Sequence, residues 1–147
     1  MLFGEAGLAL SDIEWIDQAN RSVSQTLSAL SATIIDGSRS ERRLRMSYEP
    51  GSSQRNFVQL SGGMIAEMLD QTATHCGSLV TGRPCSTLSM TATILLGGST
   101  KSYVSSAKVL KLTKTNAILS ADLDDATGMR IASMTVVSQL ISVSRVG

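Results

Sequence analysis

The sequence predicts an α+β domain in which a curved antiparallel sheet wraps around one long central helix. Three observations carry that prediction. Residues 62–80 place apolar side chains at spacings of three and four, the signature of a buried helix. Residues 85–143 divide into four runs of alternating apolar and polar residues separated by turn signals. Nothing else in the 147-residue chain is large enough to cover the helix, so the sheet must do it. That length fits a single domain over residues 1–147, with an N-terminal helical segment at about 11–29 and a core at about 30–143.

Composition removes several function classes. Hydrophobic residues make up 42% of the chain and charged residues 17%, which supports a packed core and argues against disorder. A net charge of +1 gives no electrostatic footprint for nucleic acid or a membrane surface, and neither partner is expected. No apolar run approaches the roughly 20 residues needed to span a bilayer. The start MLFGEAGLAL lacks a basic n-region and is interrupted by Glu5, which argues against a signal peptide. Cys76 and Cys85 sit in neither a metal-ligand nor a redox spacing, so free thiols and a cytoplasmic location are expected.

The elements read in order as follows. SDIE at 11–14 is a capping-box pattern, with Ser11 as N-cap and Glu14 at the third helical position. The helix it starts is expected to run to about residue 29, with Ile13, Ile16 and Val23 inward and Trp15 packed beside them. Two extended runs then flank a turn signal at Asp36, Gly37 and Ser38. In the second run Leu44 and Met46 alternate with Arg43, Arg45 and Ser47, a half-buried strand. The arginines at 39, 42, 43 and 45 read as a solvated strand face or as holders of acidic phosphates. PGSSQRNFVQL is a loop, and TGRP ends the long helix. The four later runs, with short turns between them, imply a four-stranded antiparallel meander.

One stretch fits no structural purpose. In SGGMIAEMLDQTA, residues 61–73, two glycines open the long helix and an acid sits in it. Glycine costs about 1 kcal/mol per helical site relative to Ala. A mostly buried helix gains little from Asp70. Glu67, three residues earlier, is the rival acid on a neighbouring face. His75, the only histidine, lies about 140° round the helix from Asp70, which disfavours a Ser-His-Asp triad. No His/Cys cluster accompanies it, so no metal site is expected. Thr87 opens the strand after the helix, with Ser86 as an equally short hydroxyl.

The order of helix, strand pair, loop, Gly-Gly helix with an acid, and four strands resembles the hotdog fold. Within it, the chain is similar to the phenylacetate-pathway (PaaI-like) type of acyl-CoA thioesterase. Asn56, Gly62, Gly63, Asp70 and Thr87 carry the likeness, over about residues 29–141. The first glycine and the acid keep the family's separation of 70 − 62 = 8. Two departures stand out: Ser61 occupies the place of the family's His, and Asn56 is out of register by one, with Arg55 at the strict spacing. The resemblance implies hydrolysis of an acyl-CoA thioester. Gly62 and Gly63 would form an oxyanion hole at the helix N-terminus, and Asp70 would act as nucleophile or general base, aided by Asn56 and Thr87. It assigns Met64, Met68, Ser61 and Glu67 to substrate contact and asks for no cofactor. It also implies a homodimer or homotetramer with sites between subunits, and cations for the coenzyme A phosphates from among Lys101, Lys108, Lys111, Arg83 and Arg145. A non-catalytic acyl-CoA-binding module and a hotdog hydratase are the alternatives.

Overall fold

The computed structural model describes residues 1–56 and 59–143. Three short helices lead the chain: α1 (Gly4–Ala9), α2 (Asp12–Arg21) and α3 (Gln25–Ala29). Strands β1 (Thr33–Ser38) and β2 (Arg43–Tyr48) follow, then a small ribbon of β3 (Arg55–Asn56) and β4 (Gln59–Leu60). The central helix α4 is Gly62–Thr81, and β5 (Cys85–Ile94), β6 (Tyr103–Leu112), β7 (Asn116–Asp125) and β8 (Arg130–Leu140) complete the fold. The main sheet has the order β1-β2-β6-β7-β8-β5, antiparallel at every step.

Helix α4 buries Ile65, Met68, Leu69, Thr72, Ala73, Cys76 and Leu79, the apolar stripe read from the sequence. Opposite it the sheet turns in Leu44, Met46, Val109, Leu119, Leu123 and Val136, and together they form one core. Each such side chain contributes about 1.5–3 kcal/mol through removal from water. The helix stops at Gly82, whose left-handed backbone (φ 67°) no β-carbon-bearing residue adopts cheaply. No helix among the described residues is long and apolar enough to cross a membrane.

The structure corrects three local expectations and adds one element. The meander has three strands, β6 to β8, while β5 lies at the sheet's far edge beside β8. The reason is pairing: β6 already has β2 on one side and β7 on the other, so β5 takes the open edge of β8. The helix expected over 11–29 is two helices. Its capping box is present, but the chain leaves helical geometry at Ser22, and Ser24 caps a new start by accepting the Leu27 N–H at 3.2 Å. Val23 falls in that break and is exposed; within α2 itself Ile13 is 73% exposed, while Trp15 at 1% carries the packing. The turn after β1 lies at residues 39–42, not at Asp36 to Ser38. Gly37 stays in the strand, paired with Leu44, at a position where a β-carbon would meet a Leu79 methyl at 2.8 Å. Asp36 stays there as the partner of Arg43 and Arg45, whose hydrogen bonds (Arg45's foremost) hold its carboxyl below the usual range. The basic cluster is thus largely neutralised on the strand face. Finally, α1 has no sequence signal of its own. It is tied down by Gly4 N–H to the Gly82 carbonyl at 2.8 Å and by Trp15 Nε1–H to the Leu2 carbonyl at 3.0 Å.

Arg39 bolts this N-terminal layer to the core. Its guanidinium donates to the carbonyls of Leu79 (2.9 Å), near the end of α4, and Leu10 (3.0 Å), just after α1.

Candidate active site

Helix α4 opens on a free N-terminus. Ser61 is its N-cap, and its hydroxyl accepts the Met64 N–H at 3.3 Å. This leaves Gly62 and Gly63, both exposed, with N–H groups that no intrahelical carbonyl reaches. Neither glycine has a positive φ. At Gly62 a β-carbon would press on the Ile94 side chain at 3.2 Å. At Gly63 it would meet only the Ser61 hydroxyl, at 3.8 Å, so the fold itself does not require glycine there. The bare backbone and the positive end of the helix dipole form a place where a negatively charged oxygen is stabilised.

Asp70 lies two turns along, half-buried, and accepts a hydrogen bond from Thr87 Oγ1 at 2.6 Å. Thr87 reaches it because β5 carries a bulge between Thr87 and Ser89. Thr87 stands opposite Ser138 and Met90 opposite Val136, both buried residues of the helix-facing side, so Thr87 and Met90 share that side despite their odd spacing. Burial raises the Asp70 pKa above the ordinary carboxylate value, the Thr87 hydrogen bond draws it back, and the charge of Glu67 adds a further push upward. Asp70 is thus a carboxylate that holds a proton more readily than one in water, as a group taking a proton during a reaction should.

Other predicted residues divide. Glu67 is half-buried and accepts from Gln71 Nε2 at 2.8 Å. Met64 is half-buried beside the helix opening. Met68 is fully buried in the core, and its carbonyl accepts from the Tyr48 hydroxyl at 2.9 Å. Asn56 falls in β3, but its side chain lies outside the described residues, as does Arg145. Arg55 donates to the Thr100 carbonyl at 2.7 Å. Arg83 donates to the carbonyls of Leu140, Lys114 and Ile141, which commits it to the fold rather than to a phosphate. Lys101 pairs with Glu49 at 3.1 Å. His75 Nδ1 bonds the Gln71 carbonyl at 2.7 Å and does not face Asp70. Among the described residues no cluster of three or more His, Cys, Asp or Glu could hold a metal ion.

Sequence reasoning missed one contributor. The Tyr48 hydroxyl, 2.8 Å from Thr72 Oγ1 as well as bonded to Met68, steadies the helical turn that carries Asp70. Its only trace in the sequence is a tyrosine at the inward phase of β2. The long strand from Cys85, in whose sequence no Lys, Arg or Pro follows to blunt an edge, does lie at one: Leu88 (58% exposed), Met90 (51%), Ile94, Leu95 and Leu96 are open along it.

No protein-family model matches the chain, and no curated protein matches it. Solved structures do. A putative thioesterase from Ralstonia eutropha JMP134, described as a phenylacetic acid degradation-related protein, superposes with a TM-score of 0.78 at 19% identity, covering 85% of this chain and 98% of that one. The PaaI protein from the phenylacetic acid degradation operon of E. coli gives 0.78 at 15% identity, over 88% and 93% of the two chains. A thioesterase from Haemophilus influenzae gives 0.78 at 14% identity over 100% of both. The fold is the hotdog fold. Its central helix is α4, and among the described residues β1 and β5 are the edge strands of its sheet. Within one hotdog subunit, Gly63 and Asp70 are seven residues apart, which puts them about 10 Å apart along the helix axis. One reacting carbonyl does not touch both.

Proposed function

We propose that this protein hydrolyses acyl-CoA thioesters to a free acid and coenzyme A, at sites shared between two copies of the chain. One observation carries the reading: a half-buried Asp70, held by the Thr87 hydroxyl and shifted toward protonation, on a helix whose N-terminus is stripped of side chains. Thioester hydrolysis needs these two parts. Ionised Asp70 takes a proton from water as the water oxygen bonds to the carbonyl carbon. The C–S bond then breaks, and the proton passes to the coenzyme A sulfur. On the covalent route Asp70 itself attacks and water opens the resulting anhydride. On either route the carbonyl oxygen becomes negative, and the N–H groups at Gly62 and Gly63 are suited to hold it. That two of these solved neighbours are described as thioesterases supports the same chemistry.

The separation of about 10 Å along the helix favours a dimer in which Asp70 of one copy faces the helix N-terminus of the other. The edge strand supports this. Apart from its pairing with β8, β5 has no partner strand among the described residues, and no Lys, Arg or Pro blunts it between Ser86 and Ile94. Its exposed apolar side chains would be covered by a second copy.

The test is free-thiol release from acyl-CoAs of graded length and from an aryl acyl-CoA, by wild type and by Asp70→Asn. Turnover by wild type that drops at least about 10²-fold in Asp70→Asn is the expected result. Binding of acyl-CoA by both proteins, with hydrolysis by neither, replaces the enzyme with a binding module.

A further inference from the structure

A cavity of about 200 Å³ lies between the second half of α4, the start of β5 and the N-terminal layer. Thr74, Ser78 and Cys85 line its near side, and Leu2, Phe3 and Trp15 its far side. Its position relative to Asp70 follows from two tracks. Along α4, Thr74 is one turn beyond Asp70 and Ser78 two turns, so the lining runs from about 6 Å to about 12 Å past the carboxylate. Along β5, Cys85 is two residues before Thr87 and points to the same side of the sheet, close enough that a β-carbon at Gly77 would meet its sulfur at 2.7 Å. Both tracks lead from the Asp70–Thr87 pair into the cavity.

The chemistry of the lining limits the occupant. No Lys, Arg, Asp or Glu contributes. The Thr74 hydroxyl is spent on the Gln71 carbonyl at 3.2 Å, and the Cys85 thiol on the Arg83 carbonyl at 3.8 Å. His75, also in the wall, has Nδ1 on the Gln71 carbonyl, and burial favours its neutral form. What remains is chiefly the apolar surface of Leu2, Phe3, Trp15 and Pro84. Such a space does not accommodate a phosphate or a carboxylate. By size it takes roughly six to eight carbon atoms, scaled from benzene in an apolar cavity of about 150 Å³.

We propose that this cavity receives the far end of the acyl group, so that the N-terminal layer sets the length of acyl chain the protein accepts. The proposal rests on the thioesterase reading and adds a substrate class to it: uncharged medium-chain acyl groups, favoured over acetyl or butyryl. The carbonyl sits at Asp70, the first carbons run along α4 past Thr74, and the end of the chain stops against Phe3 and Trp15. Ser78 and Phe3 are then specificity residues, one on each wall.

Trp15 is the only tryptophan in the chain, so its fluorescence reads occupancy without any turnover. In Asp70→Asn, decanoyl-CoA should change Trp15 emission saturably, and butyryl-CoA should not. In the otherwise wild-type enzyme, Ser78→Leu should lower the ratio of decanoyl to butyryl kcat/KM by at least about tenfold. Phe3→Ala removes bulk from the opposite wall and should raise the ratio of dodecanoyl to decanoyl kcat/KM. It keeps the test open if Ser78→Leu does not fold. Trp15 emission that ignores decanoyl-CoA at saturating concentrations overturns the proposal. So do length ratios unchanged in both variants, or decanol that moves the emission without competing with decanoyl-CoA. If no acyl-CoA is hydrolysed but decanoyl-CoA still moves the emission and Ser78→Leu abolishes that response, the catalytic reading falls while the acyl cavity stands.

Discussion

The proposed division of the site between two chains makes a quantitative prediction for mixed dimers. Two variants each break a different half. Asp70→Asn removes the carboxylate, and Gly63→Val places a branched side chain at the helix opening. Gly63 is the better glycine to change, because a β-carbon there meets only the Ser61 hydroxyl at 3.8 Å, whereas at Gly62 it presses on Ile94. Each variant alone should lose about 10²-fold or more in turnover, about 2.7 kcal/mol of transition-state stabilisation. In a mixed dimer one site inherits both lesions. The other combines Asp70 of the Gly63→Val chain with Gly63 of the Asp70→Asn chain and is intact. Random reassortment makes half of the dimers mixed, each with one working site of two, so an equimolar mixture should recover about one quarter of wild-type activity. Co-refolding the two variants, or isolating mixed dimers with two affinity tags, provides the assay, and the isolated mixed dimer should show about half of wild-type turnover. If the mixture shows only the residual activity of its parents, Asp70 and the helix opening act within one chain, and the argument from their separation fails.

Three further outcomes follow from the same geometry. Asp70 has a folded-state pKa above its unfolded value, so its contribution to stability is fully present below the unfolded pKa and is lost as pH rises through the folded one; Asp70→Asn should therefore melt higher than wild type at pH 8, with the gap closing toward pH 3, and a variant that melts lower at pH 8 contradicts this. Thr87→Val removes the hydrogen bond that draws the Asp70 pKa down, so the acid limb of the kcat/KM profile should move to higher pH while Thr87→Ser leaves it in place; an unmoved limb in Thr87→Val disconnects the pair. Arg39→Met abandons two well-formed guanidinium–carbonyl bonds on a side chain 23% exposed, a loss of about 3 kcal/mol, which should lower the melting temperature by about 9 °C; a drop below about 2 °C denies Arg39 its fastening role.

The parts of the fold that were legible in the sequence are those written in local chemistry. The period of residues 62–80 gave the central helix within a residue of its end, and Gly82 marked its stop. Ser11 and Glu14 announced the start of α2 through a reciprocal cap that needs no tertiary partner. Asp70 stood out because an acid in an apolar helix is costly, and Thr87 because it opens the next strand. What the sequence hid depends on contacts between distant segments. Asp36 and Gly37 imitate a turn, but Arg43, Arg45 and Leu79 keep them in a strand. The position of β5 beside β8 is settled by which edge remained free, a property of the whole sheet. Met68 looked as available as Met64, and only the Tyr48 bond and its complete burial place it in the core. The segment α1 is held by Arg39, Trp15 and Gly82, none of which lies within it.

The bulge in β5 acts as a phase shifter. In a regular strand with this sequence, the side that shows Met90 and Ile94 to the helix would turn Thr87 to the opposite face, away from Asp70. The chain leaves Leu88 without a β8 partner, and that one residue brings the hydroxyl round to the apolar side. The spacing between the bulge and Asp70's helix is therefore a fixed length in the sense of a gear tooth. Deleting Leu88 itself leaves Thr87 and Met90 on their present side, because the strand then alternates regularly between them. An alignment that places Thr87 by counting from the centre of the strand will be wrong by one, and one that counts from the end of the helix will be right.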